Sequence, residues 1–466
     1  MGQDLVLGLG GTVDYEIRWD AAVLEALAAE HGIRLDELTT TTPIIDERAL
    51  VVTVLAFLAT GGGGERFVLT SDIVERFAAH FDKAVTLGGT GVRAGIALDR
   101  IGVPTVQHLV SIDDTVRRLL PASMRIVSSA TRDTLDPHLI VQYPEGATVR
   151  VVDGAVTAPA SNRLIFANDA PNREMAIADG LGDALEGAAA FLVSGFNTMQ
   201  DADLLEARLD DLAAAMQRLP ADALVYYEDA GFYRREFSAH VRRRLLERVD
   251  VYGMNEDELQ EYLGRSVDLL SPDDVGAALA EAHHLIPARA LIVHTKYWAL
   301  AVGPSAARHA AGLESAVRTA ATRYRLGDAC TAADLDVTAG LGRHPGGTAV
   351  VAALRRSGRA VGVPAYLIDT ADPTTIGLGD TFVGGFLAAV PAAARYATAA
   401  ALDRALDAVG DGRAEALRPR HLHRAAVSAS GSENGPHAAI TRRRLTAASH
   451  ASRGSSCASS DRRLPV

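Results

Sequence analysis

The chain has 466 residues, with 46 Lys and Arg against 58 Asp and Glu, which gives a formal net charge of −12 at pH 7. Hydrophobic residues make up 48% of the chain, enough to form the core of one large or two medium domains. The negative net charge argues against a nucleic-acid-binding protein, and two cysteines argue against a disulfide-rich one. The sequence has no apolar run of membrane-spanning length and no basic N-terminal start, which argues against membrane and secreted proteins. We expect a soluble cytoplasmic protein with no nucleic-acid or membrane partner.

Apolar strand-like runs alternate with helix-length amphipathic stretches along most of the chain. In chain order, the strand-like runs are 4–9, 84–87, 189–193, 223–227, 249–252 and 290–293. The helix-like stretches are 19–30, 92–98, 203–217, 236–247, 256–263, 275–285 and 383–389. Continuous apolar strands separated by helices predict a parallel sheet that is covered on both faces. We therefore predict a doubly wound α/β fold, with ligand groups at the carboxyl ends of the strands.

Two regions, approximately 16–70 and 104–166, interrupt this alternation. They contain β-like pieces such as 138–142 and 148–152, joined by turns. We predict that these insertions form a smaller β-rich lid domain within a folded region of residues 1–416. The segment 417–466 is rich in Arg, Ser and Ala and has no helical or strand period, so we expect it to be disordered and assign it no function.

The most informative local motif is the run Thr374-Thr375-Ile376-Gly377-Leu378-Gly379-Asp380, followed by a helix-like stretch. Two glycines permit a tight turn, and the next helix adds unpaired N–H groups and the positive end of its dipole. Residues 377–379 therefore predict an anion hole suited to a phosphoryl group. Asp380 beside it could accept the proton of an attacking hydroxyl, or it could simply cap the helix.

Acidic and amide side chains follow two of the predicted strands. Asn255 and Glu258 lie three residues apart after the strand 249–252, so they share a face at the start of a helix. Glu228 ends the strand 223–227. Carboxylate and amide oxygens suit Mg²⁺, which keeps part of its hydration shell. The alternative for Asn255 and Glu258 is an ordinary helix-capping pair.

Glycines near the N-terminus indicate close approach of a ligand to the backbone. The run Gly8-Leu9-Gly10-Gly11-Thr12-Val13-Asp14 is not a dinucleotide fingerprint, because Val13 stands at the third glycine position. Asp14 could instead bond sugar hydroxyls. The run Gly88-Gly89-Thr90-Gly91 ends a strand and starts a helix, which also allows a ligand to reach the backbone.

The basic residues exclude one class of nucleotide-binding protein. Only Lys83 and Lys296 are lysines, and neither follows a glycine, so the chain has no Gly-Lys-Ser/Thr phosphate loop. For Lys296 we favour a solvated surface position. Arg93, Arg132 and Arg173 are candidates for contacting a phosphorylated substrate.

Four further motifs occur, one after another, within residues 8–389. They are Ser161-Asn162-Arg163-Leu164-Ile165-Phe166, Ser194-Gly195, Tyr226-x-Glu228 and His294-Thr295. Together with the segments described above, they resemble the ADP-dependent sugar kinases, the glucokinase and phosphofructokinase family of the ribokinase-like superfamily. The Gly-x-Gly-Asp motif is shared across that superfamily, whereas Asn-Arg-Leu-Ile-Phe and His-Thr select the ADP-dependent branch.

The resemblance implies in-line transfer of the β-phosphoryl group of ADP to a hydroxyl of glucose or fructose 6-phosphate, with release of AMP. It implies that Asp380 is the base and that residues 377–379 hold the phosphoryl group. The N-terminal Asp14 and the helix start at Gly88, Gly89 and Thr90 would bind the sugar.

The same resemblance implies roles for the remaining motif residues. Glu228 and Glu258, with Asn255, would organise Mg²⁺ or another divalent cation, largely through water. Arg163 would reach the phosphates, since a guanidinium suits bidentate contact with them. His294 and Thr295 would face the nucleotide, although a satisfied structural histidine is nearly as good an interpretation of His294.

Two departures from the family pattern keep other functions open. Tyr226 replaces a histidine, and Thr90 stands where the family has asparagine, so a single hydroxyl replaces an amide. One alternative is an ATP-dependent ribokinase-type carbohydrate kinase on the same fold. The other is a sugar- or nucleotide-binding protein without catalysis, against which the intact Gly-x-Gly-Asp motif argues.

Overall fold

The structure is a computed structural model that describes residues 4–370 and 374–390. The predicted disordered segment 417–466 lies outside the described residues. The strands in chain order are β1 (Asp4–Leu7), β2 (Thr12–Ile17), β3 (Gly64–Phe67), β4 (Lys83–Gly88), β5 (Thr105–Leu109), β6 (Met124–Ser128), β7 (His138–Tyr143), β8 (Thr148–Val151), β9 (Gly154–Thr157), β10 (Asn162–Ala167), β11 (Ala188–Val193), β12 (Leu224–Glu228), β13 (Val251–Asn255), β14 (Ala290–His294), β15 (Trp298–Val302) and β16 (Val361–Pro364).

Helices of very different length connect these strands. They are α1 (Ala21–Glu30), α2 (Glu47–Thr60), α3 (Ser71–Ala79), α4 (Thr90–Arg100), α5 (Asp114–Leu119), α6 (Ala170–Glu174), α7 (Leu181–Glu186), α8 (Ala202–Met216), α9 (Arg235–Leu245), α10 (Glu256–Leu263), α11 (Pro272–Leu285), α12 (Ala310–Leu326), α13 (Ala332–Ala339), α14 (Pro345–Arg356) and α15 (Leu378–Leu387). None of these described helices has the length and apolar character needed to span a membrane.

A nine-stranded sheet forms the larger part of the structure. Its strand order is β16-β15-β14-β13-β12-β11-β1-β5-β6. The seven strands from β14 to β6 pair in parallel, and β15 and β16 are antiparallel additions at one edge. Because β14 and β15 are buried at every residue, their apolar side chains pack on both faces. The predicted doubly wound α/β fold is confirmed.

Each face of this sheet has its own helix layer. One face packs against α4, α12 and α15, through side chains such as Leu98, Leu313 and Phe386. The other face packs against α8, α9, α11 and α14, through side chains such as Leu209 and Leu279. Helices on both sides force the ligand-binding groups to the strand ends, where the sheet is open.

Close helix packing fixes the direction of α15. A Cβ atom added to Gly384 would lie 2.6 Å from the Ala94 carbonyl oxygen in α4, and one added to Gly385 would lie 2.7 Å from Thr319 Cβ in α12. Any side chain at either glycine would force the helices apart, because backbone cannot yield by that amount. The glycines therefore hold the N-terminus of α15, which carries Asp380, at the open edge of the sheet.

A second sheet of five strands has the order β3-β10-β7-β2-β4 and mixed direction. Helices α1, α2 and α3 cover one of its faces with a separate apolar core, which includes Leu24, Leu55 and Phe77. The strands β8 and β9 form a separate hairpin. This smaller sheet lies where a β-rich lid was expected, and its division from the larger part as a domain stays a prediction.

The sheet memberships correct the predicted boundaries of the lid. Strand β4, predicted as part of the doubly wound sheet at 84–87, pairs with β2 in the smaller sheet. Strands β5 and β6 fall inside the predicted insertion 104–166 but pair in the nine-stranded sheet. The predicted boundaries were wrong at these places because strand pairing depends on long-range contacts rather than on local hydrophobic pattern.

Candidate active site

The run Gly377 to Asp380 forms the start of α15 at the open edge of the nine-stranded sheet. Gly377 caps the helix with φ +68°, a left-handed conformation that favours glycine, and Asp380 lies in the first helical turn. Interpreting Asp380 as the cap itself was therefore wrong. Thr381 stabilises the turn, since its hydroxyl donates to the Gly377 carbonyl oxygen at 2.8 Å.

The backbone amides of this turn point to no acceptor in the part of the chain that the structure describes. Among the described residues, the N–H groups of Leu378, Gly379 and Asp380 donate no hydrogen bond. Such amides at a helix N-terminus, together with the helix dipole, attract an anion. The carboxylate of Asp380 stands in the same turn, so a group that accepts protons and a group that holds anions are side by side.

A first cleft, of about 1020 Å³, opens on the Asp380 side of the turn. We call it the acceptor cleft. Six of the predicted site residues line it together with side chains of both sheets, namely Asp14, Gly89, Thr90, Arg163, Gly377 and Asp380. Arg93 also lines it, whereas the candidate arginines Arg132 and Arg173 do not. The structure thus brings the predicted sugar-binding segments and the candidate base to one cavity.

Asp14 is a buried carboxylate on the wall of the acceptor cleft. Its Oδ1 accepts from the Thr12 hydroxyl at 2.7 Å, and its Oδ2 accepts from Arg93 Nη2 at 2.9 Å. A Cβ on Gly88 would lie only 2.4 and 2.6 Å from the two carboxylate oxygens. Gly88 does not line the cleft, contrary to its predicted contact with sugar; it leaves the space that Asp14 occupies.

Arg163 extends from β10 of the smaller sheet between the acceptor cleft and a neighbouring cavity of about 1050 Å³. Its side chain is exposed and forms no ion pair or hydrogen bond with the described residues. That second cavity also contacts Asp257 and Thr375 of the larger part. An unpaired guanidinium in this position is available to a phosphate.

A third cavity, of about 1530 Å³, opens on the other side of the turn, and we call it the donor cleft. Leu378 and Gly379 line it, as do Asn255, His294 and Thr295. Much of the rest of its wall is aromatic or apolar, with Tyr324, Tyr366, Ile368 and Phe382 among its members. The turn 377–380 therefore forms a wall shared by the acceptor and donor clefts.

His294 is held between a carboxylate and an aromatic ring. Its Nε2 lies 2.8 Å from Glu228 Oε1, and its ring stacks on Phe382 with centroids 4.5 Å apart. Although burial acts against the charged form, the Glu228 carboxylate raises the pKa of His294. The hydrogen bond satisfies Nε2 within the protein, as the structural interpretation of His294 expects, while the residue still lines the donor cleft.

The side chains of Thr295 and Lys296 follow at the turn between β14 and β15. The Thr295 hydroxyl accepts from the backbone N–H groups of Tyr297 and Trp298 at 3.0 and 3.1 Å, so it stabilises the hairpin turn. Lys296 is exposed, as predicted, and its Nζ lies 5.1 Å from the Tyr297 ring centroid. Lys296 also lines the donor cleft, which the prediction of a plain surface position did not anticipate.

Asn255 and Glu258 bond to each other at the start of α10. The Asn255 N–H donates to Glu258 Oε2 at 2.7 Å, and Asn255 Oδ1 accepts from the Glu258 N–H at 3.1 Å. This reciprocal pattern is a capping box. Burial, reinforced by the charges of Glu228 and Asp229, raises the pKa of the Glu258 carboxyl to about 8.

Glu228 has one oxygen that remains without a partner. Its Oε2 is buried and, among the described residues, makes no hydrogen bond. A Cβ on Gly253 would lie 2.1 Å from that oxygen and 2.4 Å from the Tyr226 hydroxyl, so glycine there leaves room for both. Burial raises the pKa of Glu228, and the charge of Asp380 adds to the rise.

Several residues of the acceptor cleft were not predicted from the sequence. They are Glu65, His138, Asn172, Asn197, Thr198 and Tyr233. Asn172 Nδ2 donates to the Gly11 carbonyl oxygen at 2.9 Å and to Asp169 Oδ2 at 2.7 Å. The available signal was Asp169-Ala-Pro-Asn172 shortly after the motif 161–166, since Asp with a following proline marks a helix start.

A family profile described as the ADP-specific phosphofructokinase/glucokinase conserved region matches residues 3–341. The chain belongs to this family. Proteins of this family are ADP-dependent sugar kinases, which are phosphotransferases, so the chain is classed as such an enzyme. A search of curated proteins gave no significant match.

Solved structures confirm the fold of this ADP-dependent sugar kinase. A hypothetical ADP-dependent phosphofructokinase from Pyrococcus horikoshii OT3 is 18% identical, with a TM-score of 0.66, and the match covers 86% of this chain and 99% of that chain. The phosphofructokinase from the same organism with AMP is 17% identical, with the same TM-score and coverage. An ADP-dependent kinase in complex with fructose 6-phosphate and ADPβS is 14% identical, with a TM-score of 0.62 over 84% of this chain and 94% of that chain.

Proposed function

We propose that this protein transfers the β-phosphoryl group of ADP to a hydroxyl of a hexose and releases AMP. The observation that carries this proposal is the turn 377–380, which separates two clefts and presents both a carboxylate and three amides that have no partner within residues 4–370 and 374–390. A sugar in the acceptor cleft and a nucleotide in the donor cleft would meet at this turn. Phosphoryl transfer requires little more than such positioning and charge stabilisation.

The chemical step is an in-line displacement. Asp380 accepts the proton of the attacking sugar hydroxyl, whose oxygen forms a bond to the β-phosphorus of ADP. The bond between that phosphorus and the oxygen bridging it to the α-phosphate breaks, and AMP leaves with the electron pair. The amides of residues 378–380 hold the equatorial oxygens of the migrating group, where negative charge accumulates.

Arg163 would stabilise the donor phosphates from the side of the smaller sheet. Its guanidinium is exposed at the edge of both the acceptor cleft and the cavity next to it. Guanidinium geometry suits two parallel hydrogen bonds to phosphate oxygens. Binding of substrate would draw the smaller sheet over the cleft and exclude water, which limits hydrolysis of ADP.

The acidic residues behind the turn fit a divalent cation held through water. The buried Glu228 Oε2 has no partner among the described residues, and burial, together with the charges of Glu228 and Asp229, raises the pKa of Glu258. The described residues contain no cluster of three or more acidic, His or Cys side chains that could bind a metal directly. Mg²⁺, organised by Glu228 and Glu258 with Asn255, would neutralise charge on the phosphates of ADP.

The charges of the acceptor cleft favour an acceptor without a phosphate group. Asp14, Glu65 and Asp380 supply negative charge. Of the cationic groups, Arg93 is already bonded to Asp14 and His138 to Asp169, and we assign Arg163 to the donor phosphates. A sugar phosphate would add a group of charge about −1.5 to −2 at pH 7 to this acidic cavity. We therefore propose glucose, or a sugar like it, as the preferred acceptor. Fructose 6-phosphate, which binds the relative that is 14% identical, is the second candidate.

The test is a coupled assay that crosses ADP and ATP with glucose and fructose 6-phosphate and measures AMP and sugar phosphate. We expect activity with ADP and glucose that exceeds activity in the other three combinations. Asp380→Asn serves as the matched inactive control. Equal activity with ATP would contradict the donor assignment, and higher kcat/KM with fructose 6-phosphate would contradict the proposed acceptor alone.

A further inference from the structure

Arg93 is a buried arginine that lines the acceptor cleft, and the proposed chemical step does not use it. It belongs to α4, and only 7% of its surface is exposed. Its Nη2 donates to Asp14 Oδ2 at 2.9 Å and to Glu16 Oε1 at 3.3 Å. A buried guanidinium is costly unless it is paired, so these two carboxylates fix both its charge and its orientation.

The other side of the same guanidinium lies against the catalytic turn. A Cβ on Gly377 would lie 2.5 Å from Arg93 Cδ, 3.1 Å from Nε and 3.2 Å from Nη1. Nε and Nη1 make no hydrogen bond with the described residues, so they face the space beside the turn. Glycine at position 377 therefore serves two purposes, since its left-handed φ and its missing side chain both bring the turn onto Arg93.

Charge also connects Arg93 to the candidate base. Arg93 and Asp380 line the same cleft. Although burial works in the opposite direction, the carboxylates of Asp14 and Asp380 raise the pKa of Arg93. The guanidinium thus stays charged between the acceptor-binding carboxylate and the base.

We propose that Arg93 is a positioning residue that holds the acceptor-binding carboxylate Asp14 and the catalytic turn at a fixed separation. The two groups come from strand β2 of the smaller sheet and helix α15 of the larger part, and Arg93 contacts both. Through Asp14 it sets where the sugar hydroxyl lies, and through Gly377 it sets where the base and the amides lie. This inference rests on the proposed function.

The test combines a truncated variant with chemical rescue. Arg93→Ala removes the guanidinium, and we expect kcat to fall about 10²-fold, because misplacement by about 1 Å has that effect on an oriented reaction. The KM for ADP should change little, since the donor cleft does not include Arg93. Millimolar guanidinium chloride should occupy the space left by the side chain and raise the kcat of Arg93→Ala at least tenfold.

Arg248→Ala is the matched control. Arg248 is more exposed than Arg93, but it too is bonded to a carboxylate, that of Asp250, and to backbone carbonyl groups, and it lines none of the three cavities that make up the site. We expect this variant to lose thermal stability and to keep kcat, with no response to guanidinium. A purely structural role of Arg93 would make the two variants behave alike.

Arg93→Lys keeps the test decisive if the alanine variant does not fold. Lysine keeps the charge but lacks the planar fork that contacts Asp14 while lying flat against the turn, so kcat should fall about tenfold in folded protein. Wild-type kcat in Arg93→Lys, or a kcat loss in folded Arg93→Ala that guanidinium does not restore, would overturn the inference. Inactivity of the wild-type protein with every sugar would instead contradict the proposed function.

Discussion

The acceptor and donor clefts are built from different kinds of groups, although one turn separates them. The acceptor cleft contains an ion pair between Asp14 of β2 and Arg93 of α4, and a hydrogen bond between Asn172 of α6 and Gly11 just before β2. Most residues that line the donor cleft are aromatic or apolar, and two of its polar side chains, Asn255 and Thr295, are bonded to their own chain neighbours. The acceptor cleft is therefore suited to recognise hydroxyl groups by direction, and the donor cleft to accept a planar base by surface contact.

The site also contains two kinds of charged or polar group: those that can bind a ligand at once, and those that must first lose a proton. The amides of residues 378–380 and the guanidinium of Arg163 have no partner among the described residues, so a phosphate can bind them without breaking a bond. Glu258 is tied to Asn255 and carries a pKa of about 8, so a cation must displace a proton to use its charge. The anion-binding groups are therefore ready before the ligand arrives, whereas Glu258 must lose its proton when a cation binds.

The largest expected effect comes from Asp380, which belongs to the wall between the clefts. Asp380→Asn keeps the size of the side chain and removes the proton acceptor, so we expect turnover to fall by at least ~10²-fold. Nucleotide binding, measured by calorimetry with AMP, should stay nearly unchanged because the amides remain. Near-normal turnover would remove Asp380 from the role of base.

A smaller effect is expected for Asp14. Asp14→Asn replaces charge-assisted bonds to the sugar with neutral ones, so the KM for the acceptor should rise about tenfold. The variant also weakens the contact with Arg93, so kcat should fall several-fold. The KM for ADP should stay within about twofold, since the donor cleft lies on the other side of the turn. Asp20→Asn is the control, because Asn caps α1 as Asp20 does and the position lines neither cleft. Equal rises in both KM values would contradict a division of the site into two clefts.

The cation requirement should change when Glu258 is neutralised. Glu258→Gln preserves the capping box, because Gln also accepts from the Asn255 N–H, but its amide nitrogen cannot accept from Asn255 Nδ2 as Glu258 Oε1 does, so we expect only a small loss of thermal stability. The Mg²⁺ concentration for half-maximal activity should rise several-fold, since one carboxylate is lost. An unchanged Mg²⁺ titration would indicate that Glu258 only caps α10.

The smallest effect on activity is expected at His108, in the sheet beneath the acceptor cleft. Its Nε2 accepts from the Ala178 N–H at 3.0 Å, and burial lowers its pKa from 6.5 to about 4. Because the folded state binds this proton less readily than the unfolded state, the stabilisation is complete above pH 6.5 and is lost as pH falls towards 4.

The corresponding measurement is the free energy of unfolding of the wild type and His108→Gln at pH 7 and pH 4. The glutamine oxygen can accept the same N–H without titrating. We expect the difference between the two proteins to change by about 3 kcal/mol in favour of the variant at low pH. Parallel pH dependence of the two proteins would show that His108 is not buried in its neutral form.

The sequence predicted the larger sheet well and the smaller one poorly, for a physical reason. Strands β11 to β14 are apolar on both faces and alternate with amphipathic helices, so their pattern is local and clear. Strand β4 has a similar local pattern but pairs with β2 across a gap of 65 residues. Helix α15 begins at Leu378 rather than 383 because glycines conceal its first turns in the sequence.

Within the candidate site, it was easier to predict which residues line a cleft than which residues contact each other. The predicted turn, its Asp380 and the Arg163 segment do line the acceptor cleft, because motifs of few residues at strand ends meet at one edge of the sheet. Pairs far apart in sequence were not predicted: Asp14 with Arg93, and Glu228 with His294. Such pairs arise from long-range packing, which a single sequence does not display.

The central claim is that the turn 377–380 moves the β-phosphoryl group of ADP onto a sugar. Phosphorus NMR of ADP incubated with glucose, Mg²⁺ and the protein tests it most directly, because AMP, sugar phosphate and inorganic phosphate give separate signals. The account predicts AMP and sugar phosphate in equal amounts with the wild type and neither with Asp380→Asn. Unchanged ADP with the wild type, or AMP with inorganic phosphate and no sugar phosphate, would contradict it.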